Sequence, residues 1–366
     1  MPKEAPPFAS RRARAQEELR RRGLAAMLLS PGSDLAYLSG YRIFGSERLT
    51  CLVLPAQGTP TLVLPELESP RATAAAPDLA QRTWRETEDP YALVASLVTD
   101  RGDIAVADQM WALFTLRLQA AIPRRFTLAS ELTLELRMRK DAAEHDALRD
   151  VARSADRAFK RIIGAAFAGR REREIAGDLA AALRAEGHDD VVFTIVASGP
   201  NGASPHHQPG DRVINSGEPV VLDFGGTMKW YCSDITRTVS VGKADAETTK
   251  VHDAVRRAQE AGYAAARTGA TCESVDAASR KVIDDAGYGK FFIHRTGHGI
   301  GLDGHEHPYI VTGNRLPLEP GMAFSIEPGI YLPGRFGVRI EDIAIIGDDG
   351  RAEPLNVADH ALAQVS

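Results

Sequence analysis

Five ionisable residues set in apolar, strand-like sequence constrain this chain more than any other feature. Asp223 lies in VVLDFGG, Asp234 in YCSDITRT, His298 in TGHGIG, Glu327 in FSIEPGI and Glu341 in VRIED. A lone charge is costly to bury in such surroundings, so a fold that draws these segments into its interior must also supply partners. A metal ion is the partner that neutralises several carboxylates at once.

The 366 residues are enough for one large or two ordinary domains, and 44% hydrophobic with 25% charged residues is ordinary for a soluble globular chain. A formal net charge of -5 offers no electrostatic footprint for nucleic acid, and the arginine-rich run 11–22 reads as the solvated face of a helix. The first residues carry no apolar h-region, and no uncharged apolar stretch approaches the ~18 residues of a membrane span, so a cytoplasmic protein without a membrane partner is expected. Cys51, Cys232 and Cys272 are odd in number, far apart and without metal-finger spacing, which suits reduced thiols; Cys232 stands two residues before Asp234.

Along the chain, Ser10 is placed to cap a helix over 11–22 that stops at Gly23. AAMLLS (25–30), LTCLVLP, TLVLPE and IAVAD (104–108) read as strands, followed by a helical stretch from about residue 109. This alternation predicts an α/β domain over residues 1–135. An amphipathic pattern over 141–164 opens a second domain, 140–366, with further helices over 172–186, 246–266 and 274–286. VVFTIVAS and the strands carrying the acids lie between them, predicting an α+β domain with a curved, mostly antiparallel sheet.

Asp223 and Asp234 flank a turn region, MKWY, that suits an antiparallel return, so both carboxylates are expected to face one another across a strand pair. Two such acids repel unless a cation neutralises them. His294, His298, His305 and His307 put four of the ten histidines into HRTGHGIGLDGHEHP, where interleaved glycines let the backbone come close while the imidazoles point into a common space. Alternation puts Arg339 and Glu341 on one face, so a structural arginine pair is the competing explanation for Glu341. Carboxylate-rich ligation with one histidine suits harder divalent ions, Mn²⁺ foremost, with Co²⁺ and Zn²⁺ as alternatives. Two such ions would hold a hydroxide between them and polarise the carbonyl it attacks, which points to hydrolysis of an amide or ester.

The segments PHH, LDFGG, SDITRT, HRTGHGIGL, HEHP, SIEPGIY and VRIED resemble those of the pita-bread metallopeptidases, in the proline-specific branch of Xaa-Pro dipeptidases and Xaa-Pro aminopeptidases. The resemblance spans nearly the whole chain and includes an N-terminal domain of the creatinase/prolidase type, of which YLSGY (37–41) is a typical fragment. It implies two divalent ions per chain, with Asp223 chelating one, His298 and Glu327 completing the other, and Asp234 and Glu341 bridging. It also makes Glu327 the general base, His206 and His305 the donors to the substrate carbonyl and the developing gem-diolate, and Arg339 the arginine that orients substrate or the bridging glutamate. His207 is as available a donor as His206 by composition, and the position after Pro205 favours His206. His294 is expected to support a ligand or line the pocket, and Tyr231, Phe292 and Tyr331 are candidate walls for a proline ring.

One departure stands out. Several prolidases carry an arginine after the H-E of this motif to grip the C-terminal carboxylate of a dipeptide, whereas here HEHP is followed by Tyr309, which is expected to bind substrate from that position. Arg315 and Arg335 are the candidate substitutes. The leading expectation is a dinuclear-metal exopeptidase that cleaves between an N-terminal residue and proline in a small peptide, acting as a homodimer. A methionine aminopeptidase-like enzyme and a non-catalytic peptide-binding module of the same fold are the competing readings.

Overall fold

In the computed structural model, which describes residues 8–366, the chain divides into two compact units, Met1–Arg137 and Met138–Ser366. The first unit is built on β1 (Leu24–Leu29), β2 (Cys51–Pro55), β3 (Thr61–Pro65), β4 (Ala80–Trp84), β5 (Asp103–Val106) and β6 (Phe126–Leu128), in the order β4-β3-β2-β1-β5-β6. β2 pairs antiparallel with both β1 and β3, and the remaining pairs are parallel, giving the mixed sheet of an α/β unit. Its helices are α1 (Phe8–Arg21), α2 (Ser33–Ser39), α3 (Ser69–Ala75), α4 (Pro90–Leu97), α5 (Ala112–Ala121) and α6 (Ser130–Met138), which reaches the unit boundary. Leu28, Val53, Val63 and Ile104 from the sheet pack with Val94, Phe114 and Leu118 from α4 and α5.

The arginine run on α1 is only partly solvated. Arg11 and Arg12 are buried: Arg11 lies 4.1 Å over the Tyr37 ring, and Arg12 donates to the Leu38 carbonyl at 2.9 Å and pairs with Asp78. Long aliphatic stems let arginine cover apolar surface in this way, a use that a charge count does not reveal. The helix also begins at Phe8, before the Ser10 expected to cap it.

The second unit pairs helices with sheets twice over. α7 (Ala142–Ile162), opened by the Asp141/Glu144 capping box, and α8 (Glu172–Ala185) cover a sheet of β7 (Asp190–Ser198), β8 (Pro219–Met228), β9 (Tyr231–Cys232), β10 (Ile235–Val241) and, last in sequence, β18 (Ala363–Val365). α9 (Ala246–Ala265) and α10 (Cys272–Asp285) cover a sheet of β11 (Gly297–Gly299), β12 (Glu306–Ile310), β13 (Ala323–Ile326), β16 (Asp342–Ile346) and β17 (Ala352–Pro354), together with the hairpin of β14 (Gly329–Leu332) and β15 (Phe336–Arg339). Pairing is antiparallel throughout this unit except between β10 and β18.

The mostly antiparallel pairing is as expected, and it resolves into two five-stranded sheets and a hairpin, with a bridge between Thr236 and Glu341. The ladders break at Glu327–Pro328 and Ile340–Glu341, where acidic side chains leave the pleat and turn toward a cavity.

Candidate active site

Strand alternation decides which side chains reach that cavity. On β8, Val220, Leu222 and Phe224 pack against α7 and α8, which leaves Asp223 on the other face. The same logic on β10 sends Ile235 and Val239 to the helices and leaves Thr236 on the opposite face, where it is the register partner of Asp223. In the hairpin, Ile330 and Val338 enter the α9/α10 core, so Tyr331 and Arg339 face the opposite way. Between β8 and β9 the chain reverses through Lys229 and Trp230, both at positive φ, as a two-residue hairpin turn requires, and this brings Asp234 back beside Asp223.

His298 sits on β11 between Gly297 and Gly299, where a Cβ would collide with the Ser325 and His307 carbonyls. That close approach lets Ser325 Oγ accept from the His298 amide at 3.1 Å and donate to Glu327 Oε1 at 3.1 Å.

The five residues come together. Nε2 of His298 lies 3.3 Å from Glu327 Oε1, 3.7 Å from Asp234 Oδ2 and 4.0 Å from Glu341 Oε1. Two triads, His298/Glu327/Glu341 and Asp223/Asp234/Glu341, each gather ligand atoms within 4.8 Å of one another and share Glu341. Asp223 Oδ1 and Glu341 Oε1 are buried with no hydrogen-bond partner. Orphaned buried carboxylate oxygens are costly, and a divalent cation satisfies them, so the donor set fits metal ions.

Protonation tells the same story. Burial, then the charge of Asp223, pushes Asp234 well above the usual carboxylate range; burial, then Asp234, does the same to Glu341. Burial raises Glu327 to about 7 against the pull of Arg339. His298 is lowered to about 3 by burial and by neighbouring His305, and its Nδ1–H donates to the Gly299 carbonyl at 3.1 Å. Its Nε2 therefore presents a lone pair to the acids, the form a metal ligand needs.

Arg339 is spent on Asp223 rather than on Glu341. Its guanidinium pairs with Asp223 Oδ2, donates to Tyr331 Oη at 2.8 Å, to Thr236 Oγ1 at 3.1 Å and to the Pro205 carbonyl at 3.4 Å. Thr236 Oγ1 in turn donates to Glu341 Oε2 at 2.7 Å, so Glu341, the glutamate Arg339 was expected to orient, is reached through threonine. Tyr331, accepting from Arg339, donates to Nε2 of His294 at 2.8 Å, and His294 Nδ1 donates to the Arg295 carbonyl at 2.7 Å.

The acids open into a cavity of about 690 Å³ whose apolar walls are Phe193, Ile195 and Ile293. His206, His294, Arg295, His298 and His305 line it as well. Of the paired histidines in PHH, His206 faces the cavity, while His207 donates through Nε2 to buried Glu172 at 2.8 Å. His307 turns away and packs on Tyr309, their ring centroids 4.5 Å apart.

Several expected walls lie elsewhere. Tyr231 donates to Glu144 beneath α7 at 3.0 Å, Phe292 belongs to the α9/α10 core, and Tyr331 stands behind Arg339. Tyr309 does not line the cavity either; its ring carries the guanidinium of Arg295, 4.3 Å from its centroid. Arg315 and Arg335, the candidate carboxylate grips, are exposed and pair with Glu273 and Glu247. Arg295 was legible only as a basic residue inside a histidine motif. It lines the cavity, donates to His305 Nδ1 at 3.1 Å, and forms no salt bridge among the described residues, its charge acting on Glu327 only from a distance.

A buried cluster of four carboxylates and a neutral imidazole, lining a cavity with histidine and arginine donors, defines a metal-dependent hydrolase. The chain belongs to metallopeptidase family M24, which matches residues 146–348, and residues 11–139 match the creatinase/prolidase N-terminal domain. It is 47% identical over 363 residues to the probable dipeptidase PepE of Mycobacterium tuberculosis, covering 98% of this chain and 96% of that protein. It is 34% identical to the Xaa-Pro dipeptidase of Lactobacillus delbrueckii subsp. lactis, over 92% of this chain and 94% of the other. Among solved structures, the prolidase from Thermococcus sibiricus superposes with a TM-score of 0.94 at 38% identity, covering 99% of this chain and all of that one (100%). No helix among the described residues is long and apolar enough to cross a membrane.

Proposed function

We propose that this metallopeptidase is an Xaa-Pro dipeptidase: it hydrolyses the bond between an N-terminal residue and a C-terminal proline. The observation that carries the dipeptide preference is Arg295, a cation on the cavity wall that forms no salt bridge among the described residues, stacked on Tyr309, which occupies the position where an arginine grip was expected. An arginine fork held on an aromatic face suits a carboxylate, and a C-terminal proline offers one.

Asp223, Asp234, His298, Glu327 and Glu341 would hold two divalent ions, with Asp234 and Glu341 between them. When bound, such ions would polarise the scissile carbonyl and lower the pKa of a bound water. Glu327 is placed to take the proton of the attacking water: Ser325 occupies its Oε1, and its other oxygen has no hydrogen bond among the described residues. His305 accepts from Arg295 at Nδ1, so its Nε2–H is the atom left to donate to the oxygen on which charge develops, with His206 as the second donor. Phe193, Ile195 and Ile293 supply apolar surface for side chain and ring. Manganese as the native ion, a homodimeric state and a cytoplasmic setting belong to the same reading; metal analysis and sedimentation test the first two.

The deciding experiment compares kcat/KM for Xaa-Pro, its C-terminal amide and Xaa-Pro-Yaa in the metal-loaded enzyme. The free dipeptide is expected to be preferred, and Arg295→Ala to erase that preference by raising KM for the dipeptide about tenfold or more. Equal or better cleavage of the tripeptide by the native enzyme would assign it to the Xaa-Pro aminopeptidases instead.

A further inference from the structure

Glu172 is the first residue of α8 and has no exposed surface, yet it does not line the active cavity. Its carboxylate collects donors from one stretch of chain. Oε1 accepts from the Ser198 amide and Ser198 Oγ, both at 2.8 Å, and from Asn201 Nδ2 at 3.0 Å. Oε2 accepts from Asn201 Nδ2 at 3.1 Å, His207 Nε2 at 2.8 Å and the Gly210 amide at 3.5 Å. Burial pushes this carboxyl up, but bonds from Ser198 and His207 hold it below the usual range, so it is ionised at neutral pH.

The segment it holds, 198–210, is SGPNGASPHHQPG, rich in glycine and proline and forming little more than a 3-10 turn, Gly199–Ala203. Such a loop has no ladder of its own to set the direction of His206. It is fastened at two places. Glu172 holds the residues on either side of Pro205–His206, and Arg339 donates to the Pro205 carbonyl with both terminal nitrogens at 3.4 Å. Arg339 also grips Asp223, so the loop is referenced to a metal-ligand candidate, and the Glu172 staple sets the remaining freedom, the side to which the PHH pair rotates. With His207 bound to Glu172, its neighbour His206 is the one presented to the cavity.

We infer that Glu172 is a positioning residue that fixes His206 for transition-state contact through His207 and Asn201. This rests on the reading that His206 donates to the substrate oxygen. Its loss should leave metal binding intact and lower kcat rather than raise KM, because the contact it aims strengthens as charge develops.

The test is a double-mutant cycle in the metal-loaded enzyme, with Glu172→Ala, His206→Ala and the pair together, read as kcat, KM and bound metal per chain. Each single replacement is expected to lower kcat about 10–100-fold with metal content unchanged, and the pair to be no worse than His206→Ala alone. Losses that multiply in the double variant, or a loss of bound metal on Glu172→Ala, would show a general structural role and overturn the inference. If His206→Ala is itself silent, the reading of the site fails and the inference falls with it, a result distinct from multiplying losses. Should Glu172→Ala fail to fold, His207→Ala, which removes a single donor, runs the same cycle and is held to the same outcomes.

Discussion

Asp234 concentrates the conflict within the site. It is buried among acids, and desolvation and the charge of Asp223 both oppose its ionised form. Asparagine keeps the shape and removes the charge. Asp234→Asn is therefore expected to abolish turnover while circular dichroism stays native, and to raise the melting temperature of the metal-free protein, since functional sites hold charge at the expense of stability. Measurable activity in this variant would contradict a bridging role for Asp234. The acids were visible in the bare sequence because each interrupts an apolar strand, where an unpaired charge is too costly to be accidental. Glu172 and Arg295 were not. A glutamate in the first turn of a helix looks like ordinary dipole complement, and an arginine beside histidines looks like a charged surface. What distinguishes both is burial or pocket position, which only long-range packing assigns.

At the scale of elements, the site depends on how β10 meets β16 where the two sheets adjoin. Arg237, 2% exposed, donates to the Thr236 and Glu341 carbonyls at 2.9 and 2.7 Å and pairs with Asp342 at 2.6 Å. Gln259 of α9 adds a bond to Asp342 at 3.0 Å, and His360 another. Removing one partner of a buried ion pair leaves the other uncompensated, so Asp342→Ala is expected to cost about 3–5 kcal/mol, measured from the urea midpoint. A loss under about 1 kcal/mol would mean that the carbonyl partners hold Arg237 unaided. The helices of this unit were readable from their apolar period, their N-caps Asp141 and Thr271 emerging only with the structure. The split into two sheets was not, because apolar alternation is identical for strands in one sheet or two, and only the pairing partner differs.

For the molecule as a whole, metal is part of the folding equilibrium. Ligands that bind the folded chain alone stabilise it by mass action, about 2.7 kcal/mol per site at a hundredfold excess over Kd. Adding Mn²⁺ to metal-free protein is therefore expected to raise the melting temperature by several degrees, and Asp234→Asn to blunt that rise. A melting curve indifferent to Mn²⁺ would argue against a divalent site of any tightness. Strand and helix periods change character near the boundary between the two units, and the motifs that carry the clustered acids and histidines all lie beyond it.

The dispersal of the ligands has a consequence for synthesis. Asp223 and Asp234 come from one sheet, His298 from the next, and Glu341 from the link between β15 and β16. A nascent chain that has produced only the first pair owns two mutually repelling acids and no donor histidine from β11. On the proposed ligand set, peptide-cleaving capacity therefore waits for the pairing of β13 with β16. Copies truncated before Glu341 are accordingly expected to show no peptidase activity on an Xaa-Pro dipeptide.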